Sequence, residues 1–293
     1  MKNIKKILLA VSGGPDSMYL LWKYRKANVI VAHVNYNKRS DSHLDQEIVE
    51  NFCKKYNIPL FIKKIKKNIE VKNNFQNWAR EERYSFFSEI YHREKCDFLY
   101  LAHHKDDFIE TAYFQKSTNR QPRYYGIPFH TIYKNMEIIR PLLLILWKNQ
   151  ISKKLINKNI AFSIDSTNVE PIYTRNKIRL YLATKSIFYK EAIFMLTWIT
   201  NFLKFFINKK LSYDYKKWEK NNFDSRVFTK FKNKNKLVFL LINNYCINVK
   251  LTSKKIQGIT DFITASRGSK FFILNSKYLI EKKYNRIKIM KKE

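Results

Sequence analysis

Short apolar runs alternate with amphipathic stretches through the first half of the chain. Residues 6–11, 29–34, 60–62, 97–102 and 137–139 are each of strand length, and the first two are nearly apolar throughout, as strands buried on both faces are. Between them, residues 18–24, 42–56, 75–95, 106–117 and 147–158 predict helices. In the second of these, Leu44, Ile48, Val49 and Phe52 fall at helical spacing behind a cap at Asp41 or Ser42. Strand alternating with helix predicts an α/β fold, a doubly wound parallel sheet with right-handed crossovers. Ligands of such sheets bind beyond the carboxyl ends of the strands, where Ser12, His33 and His103 would all stand. The pattern weakens into a Pro-, Arg- and Tyr-rich loop over 119–129, and the alternation ends near 184. The expected division is a catalytic domain over 1–184 and a smaller basic domain over 185–293. The longest apolar stretch, 192–207, is shorter than a membrane span and contains Thr197, Thr200, Asn201 and Lys204, so it predicts a helix that is buried or lies between domains.

Between the first strand and the first helix lies Ser12-Gly13-Gly14-Pro15-Asp16-Ser17. Unpaired backbone N–H groups and the helix dipole favour an anion at such a turn. Two of the chain's five glycines are here, where they allow a phosphate close to the backbone, and Ser12 and Ser17 add hydroxyl donors. Asp16 is the unusual member, because a carboxylate repels phosphate unless a cation lies between them. No lysine follows Gly14 inside the turn, so this is not a Walker A loop.

Composition adds a partner. The net charge is +33, which points to a polyanion, nucleic acid before membrane surface. The basic residues are 44 Lys and only 13 Arg, beside abundant Asn and Ile, as an AT-rich genome would produce, so the arginines are the more informative. Residues 186–293 hold 24 Lys or Arg and 7 Asp or Glu, a net +17, which leaves +16 for the first 185 and predicts a partner that touches both halves. Cys53, Cys96 and Cys246 form no C-x-x-C pair, which argues against a zinc ribbon or redox dithiol and for free thiols in a reducing cytosol. The apolar part of 1–11 is too short for a signal peptide and leads straight into the turn.

Three further stretches carry chemistry. In His103-His104-Lys105-Asp106-Asp107-Phe108-Ile109-Glu110-Thr111, another strand ends at a helix start. His103, Asp107 and Glu110 share one helical face, and two carboxylates beside a phosphate turn can hold Mg²⁺ or a substrate ammonium; capping and surface charge are the plainer reading. On the helix from 75, Arg80 and Arg83 are one turn apart, available to phosphate or carboxylate, or to ion pairs with Glu81 or Glu82. Tyr173-Thr174-Arg175-Asn176-Lys177-Ile178-Arg179 sets two arginines and a lysine near an aromatic ring, a contact for phosphate or RNA or simply a basic helix start.

Ser-Gly-Gly-x-Asp-Ser resembles the PP-loop of the ATP pyrophosphatases. From Ile7 to Arg179 the chain resembles one family among them, the tRNA(Ile)-lysidine synthetases. The resemblance rests on that loop, His33-Val34-Asn35, Ala79-Arg80-x-x-Arg83-Tyr84, His103-His104-x-Asp106-Asp107-x-x-Glu110-Thr111, Arg140-Pro141-Leu142 and Arg175-Asn176-x-Ile178-Arg179. It implies an enzyme that adenylates the first anticodon cytidine of a minor isoleucine tRNA (anticodon CAU) with ATP and Mg²⁺. The ε-amine of free lysine then displaces AMP, so that the tRNA reads AUA. It implies ATP on Ser12, Gly13, Gly14, Pro15, Asp16 and Ser17, with Asp16 toward Mg²⁺, and lysine on Asp107 and Glu110. His103 and Arg83 would stand beside the reaction, and Arg80, Arg175 and Arg179 would bind phosphate or tRNA. A cytoplasmic enzyme, with no membrane partner and room for a homodimer, is the expectation.

Two departures stand out. Tyr36 replaces the family's second histidine after the second strand, and the loop 117–126 is too poor in glycine to follow the usual backbone path. The rival readings are another PP-loop tRNA-modifying enzyme such as a thiolase, whose sulfur chemistry needs cysteines that are not paired here, and a non-enzymatic RNA-binding protein. The latter has no reason to keep Asp16, Asp107 and Glu110 near a polyanion. PP-loop synthetases of small molecules have no need of so high a charge.

Overall fold

The computed structural model describes residues 4–37, 42–66, 75–118, 122–163, 174–247, 249–266 and 270–292. Asp41, the centre of the 117–126 loop and the stretch 165–173 lie outside these, as do the side chains of Thr174 and Arg175. The chain divides into two compact units, Met1–Thr200 and Asn201–Glu293.

The first unit is built on strands β1 (Ile7–Ala10), β2 (Val29–Asn35), β3 (Leu60–Lys64), β4 (Phe98–Tyr100), β5 (His130–Tyr133) and β6 (Met136–Ile139) in one sheet, order β3-β2-β1-β4-β6-β5. All neighbours are parallel except β5 with β6. The helices are α1 (Pro15–Tyr24), α2 (Ser42–Lys55), α3 (Phe75–Arg93), α4 (Lys105–Ser117), α5 (Lys148–Ile156) and α6 (Thr174–Ala183). The period-two direction of strand side chains explains the two cores. Ile7, Leu9, Val29 and Val31 pack with Met18, Leu21, Val49 and Leu155 on one face. Leu8, Ile30 and Ala32 pack with Tyr84, Phe87 and Ile90 of α3 on the other. The doubly wound sheet read from the sequence is the observed one. The antiparallel β5 was not read from it: Lys134 and Asn135, both at positive φ, form the two-residue hairpin turn that returns the chain.

Helix α7 (Ile187–Lys220) contains the apolar stretch 192–207. The expected burial holds for Phe194 but not for Met195, Leu196, Ile199, Phe202 or Leu203, which are exposed. Apolar residues go round more of this helix than one packed stripe can cover. The two compact units meet inside α7, after Thr200.

The second unit contains α8 (Ser225–Thr229), α9 (Lys234–Tyr245), α10 (Ser253–Thr264) and an antiparallel sheet of β7 (Phe271–Ile273), β8 (Tyr278–Lys283) and β9 (Arg286–Lys291). Its core gathers Trp218, Phe228, Leu237, Val238, Ile259, Ile263 and Ile280.

Candidate active site

The turn after β1 is shaped by its own side chains. Gly13 sits at φ +91°, and a Cβ there would lie 2.8 Å from the Asp45 carbonyl oxygen, so both backbone angle and space demand glycine. Pro15 at the helix start lacks an N–H that would have no intrahelical partner. Ser17, which is buried, donates its hydroxyl proton to the Gly14 carbonyl at 2.9 Å and accepts the Ser12 N–H at 3.1 Å. Its single proton is thereby committed, so in the 3.1 Å contact between the two hydroxyls Ser12 is the donor. The two serines fix the loop's shape and take up the Ser12 and Gly14 N–H groups, which leaves the other backbone N–H groups of the turn as its main donors to an anion.

A cavity of about 300 Å³ opens at this turn. Ser12, Gly14, Asp16 and Ser17 line it from one side, Arg80 and Arg83 of α3 from another, and His103 and Asp107 from the end of the neighbouring strand β4. Motifs distant in sequence therefore meet at the carboxyl edge of β1 and β4, as the topology requires. Tyr36, which also lines the cavity, donates to the Ala79 carbonyl at 2.7 Å and so ties the end of β2 to the arginine-bearing helix. Arg80 stacks on Tyr84, 4.8 Å from the ring centroid. His33 is buried and directs Nδ1 to the Val11 carbonyl at 2.9 Å; burial lowers its pKa, which makes it a neutral strut between two strands.

The second turn is acidic and has a buried cation at its centre. His104 places Nε2 3.5 Å from Asp16 and 3.4 Å from Asp107, and Nδ1 3.5 Å from Asp106. Burial opposes charge on this ring, but the surrounding carboxylates, Asp107 foremost, outweigh it and raise its pKa to about 10. Asp107 accepts the His104 backbone N–H at 3.0 Å, which caps α4. Although burial opposes its ionisation, the His104 and His103 rings hold the Asp107 carboxyl below the usual range. Asp106 is tied down by the Lys148 backbone N–H at 2.8 Å and the Lys190 ammonium at 3.1 Å. Sequence reading overlooked His104, because helical spacing selects His103.

Glu110 departs from the expected arrangement. It is buried and does not line the cavity; instead the Arg179 fork donates to both its oxygens, at 3.1 and 3.2 Å. Asp107 and Glu110, assigned to one lysine-binding face, are thus divided between the cavity and α6. Arg179, expected at phosphate or tRNA, is held by Glu110 within electrostatic reach of Asp107 and Asp16. Arg175 lies in α6, its side chain outside the described residues.

The residues fit a magnesium ion in one specific respect. Asp16 Oδ1 is buried with no hydrogen-bond partner among the described residues, a hard oxygen donor beside a phosphate turn. Mg²⁺ at nucleotide sites is held by one or two carboxylates and the substrate's own phosphates. Among the described residues no group of three or more His, Cys, Asp or Glu side chains could hold a metal. The three cysteines are free and buried, and burial pushes Cys53 up to about 12 and Cys96 up to about 11, so neither is a ready thiolate.

Comparison with known proteins is consistent along the whole chain. Residues 2–186 match the PP-loop domain. The tRNA(Ile)-lysidine synthase of Mycoplasmopsis pulmonis is 45% identical over 97% of this chain and 99% of its own length. The protein of the same name from Mesomycoplasma hyopneumoniae is 38% identical over 97% of this chain and 96% of its own. In fold, the chain is similar to the U34-tRNA thiolase NcsA of Methanococcus maripaludis, with a TM-score of 0.55 at 17% identity over 68% of this chain and 73% of that one.

Proposed function

The chain belongs to the PP-loop family and, within it, to the tRNA(Ile)-lysidine synthases, and from this premise we propose how its cavity divides the work. The enzyme is an ATP-using ligase that modifies tRNA(Ile). Its proposed reaction joins lysine to the cytidine at the first position of a CAU anticodon. The cytosine carbonyl oxygen attacks the α-phosphorus of ATP, the bond to the bridging oxygen breaks, and pyrophosphate leaves. The ε-amine of lysine then attacks the activated ring carbon, loses a proton, and AMP departs with the oxygen.

The observation that carries this reading is that one cavity joins the phosphate turn to the Asp107 carboxylate and two arginines. Backbone N–H groups of the turn hold the phosphates, and Arg80 and Arg83 face the charge that develops on them. Asp16 Oδ1 is the proposed ligand for Mg²⁺, which when bound neutralises phosphate charge. Asp107 receives the ammonium of lysine, whose amine has an ordinary pKa of about 10.4 and must be neutral to attack. Glu110 keeps Arg179 in place, and His103 stands beside the reacting groups. Residues 185–293 and their positive charge are proposed to grip the rest of the tRNA. A pair of chains in the cytoplasm completes the proposal; exposed Met195, Leu196 and Ile199 on α7 support the pairing. Among the described residues no helix is long and apolar enough to cross a membrane.

The test is incubation with ATP and tRNA(Ile), with and without lysine, followed by pyrophosphate release and nucleoside mass analysis. Pyrophosphate released on tRNA, and a cytidine heavier by one lysine less water only when lysine is present, is the expected result. No lysine-dependent mass gain on the cytidine, or no pyrophosphate, would overturn it.

A further inference from the structure

A second cluster of chemistry lies on the surface, just past the Glu110–Arg179 pair. Two residues after Arg179, Tyr181 closes α6, and Tyr189 opens α7 a few residues on. Both are 40% exposed, although each has a large aromatic ring. Their hydroxyls meet at 3.3 Å, and the Tyr113 ring of α4 lies 5.7 Å from that of Tyr181. The Lys185 ammonium rests over both rings, 4.5 Å from the centroid of Tyr181 and 5.8 Å from that of Tyr189. Phe188 alongside is 84% exposed.

The hydrophobic core does not account for this cluster. Ile178, Leu182 and Phe194 on the same helices fill the interior with Phe108 and Trp147; Tyr113 packs against that core, whereas Tyr181 and Tyr189 stay outside it. The Lys185 ammonium resting on the rings marks them as electron-rich, and their exposure leaves ring surface open to a further partner. The position is equally informative. Tyr113 is three residues beyond Glu110, about 4.5 Å along α4, and so lies beside the Glu110–Arg179 pair. An enzyme that acts on one base of a loop must take it out of the stack, and its neighbours then lose stacking that must be supplied elsewhere. Exposed aromatic planes beside a lysine supply it for any unpaired base, while the lysine meets the phosphate.

We propose that Tyr181 and Tyr189, with Lys185 between them, form a stacking platform for unpaired bases of an RNA loop whose reacting nucleotide enters the cavity. This rests on the tRNA-modifying reading above and adds to it the surface that receives the loop. RNA is favoured over a protein partner by the lysine at the centre of the cluster and the chain's +33 charge.

The test uses the full-length protein and two probes: a labelled stem–loop with an unpaired CAU loop, and a duplex of the same length without unpaired bases. Replacing both Tyr181→Ala and Tyr189→Ala is expected to weaken stem–loop binding about tenfold and duplex binding less than twofold. The Tyr→Phe pair, which keeps the rings, stays near the parent. Lys185→Ala lowers the salt slope of binding by about one, whereas the alanine pair leaves it unchanged. As a measurement independent of any variant, photo-crosslinking of the parent to a stem–loop carrying 4-thiouridine in its loop should give adducts within 181–189. Unchanged stem–loop affinity of the alanine pair, equal loss for both probes, adducts elsewhere, or a changed oligomeric state from a face that binds protein would each overturn the platform. Should the parent bind the loop through these tyrosines yet make no lysine adduct, the platform stands and the ligase reading falls.

Discussion

Two strand-to-helix turns lie side by side at the carboxyl edge of the large sheet, after the adjacent strands β1 and β4, and they differ in the side chains that fill them. The first has two glycines, a proline and two hydroxyls whose hydrogen bonds are spent on the loop itself, together with the Ser12 and Gly14 N–H groups. The second has two acidic side chains, Asp106 and Asp107, in its first turn, and a buried histidine between them and Asp16. A helix N-terminus favours anions in both places. At α1 that preference is left open for a ligand; at α4 the protein's own Asp106 and Asp107 satisfy it. The same backbone junction thus offers an anion site at α1 and, at α4, one that the protein's own carboxylates already fill. Asp16 belongs to the first turn, yet its second oxygen contacts His104 of the other.

The strongest way to break this division is to remove Asp16. Asp16→Ala is expected to lower tRNA-dependent pyrophosphate release about a thousandfold, with tRNA affinity nearly intact. Full activity of the variant, measured by pyrophosphate release against a filter-binding control, would take Asp16 out of the mechanism. A smaller effect is expected at Gly13. A methyl group there meets the Asp45 backbone at 2.8 Å on top of an unfavourable φ, so Gly13→Ala should cost about 2 kcal/mol of stability and weaken ATP about tenfold. Urea unfolding and nucleotide titration check the two separately; an unchanged loop would deny that its shape matters.

The acidic turn offers a subtler test through pH. His104 is raised from its ordinary 6.5 to about 10 by Asp16 of α1 and by Asp106 and Asp107 of its own helix. A group raised on folding adds stability that is complete below about pH 6.5, declines above it, and is gone once the pH passes about 10. The parent should therefore lose stability between pH 7 and 10 more steeply than His104→Gln. The buried cysteines titrate alike in both proteins, so the difference in slope isolates the histidine. Parallel curves in urea unfolding at several pH values would show that His104 is neutral.

The fold was legible wherever one rule sufficed. Apolar runs gave the parallel strands, most plainly β1 and β2, which are buried on both faces. The hairpins β5–β6 and β8–β9 escaped because their turns, Lys134-Asn135 and Tyr284-Asn285, reach positive φ without glycine. The phosphate turn was legible because its chemistry is local. The acidic turn was read in part. His104 precedes the first helical residue with an extended backbone, φ −128° and ψ −177°, so helical spacing could not place its ring. Nor could spacing foretell that Glu110 would be taken by an arginine 69 residues away.

The central claim is that the first turn makes the adenylate and the second receives the lysine through Asp107, while Glu110 serves Arg179. Trapping with α-phosphate-labelled ATP and tRNA(Ile) tests it directly. Asp107→Asn should accumulate adenylated tRNA in the presence of lysine and raise the lysine KM about tenfold. Glu110→Gln should leave that KM within about twofold and instead lower stability by about 1–2 kcal/mol, since its partly exposed arginine partner is screened by solvent. If Asp107→Asn accumulates no adenylated tRNA, or if Glu110→Gln alone raises the lysine KM, the assignment of the two turns is wrong.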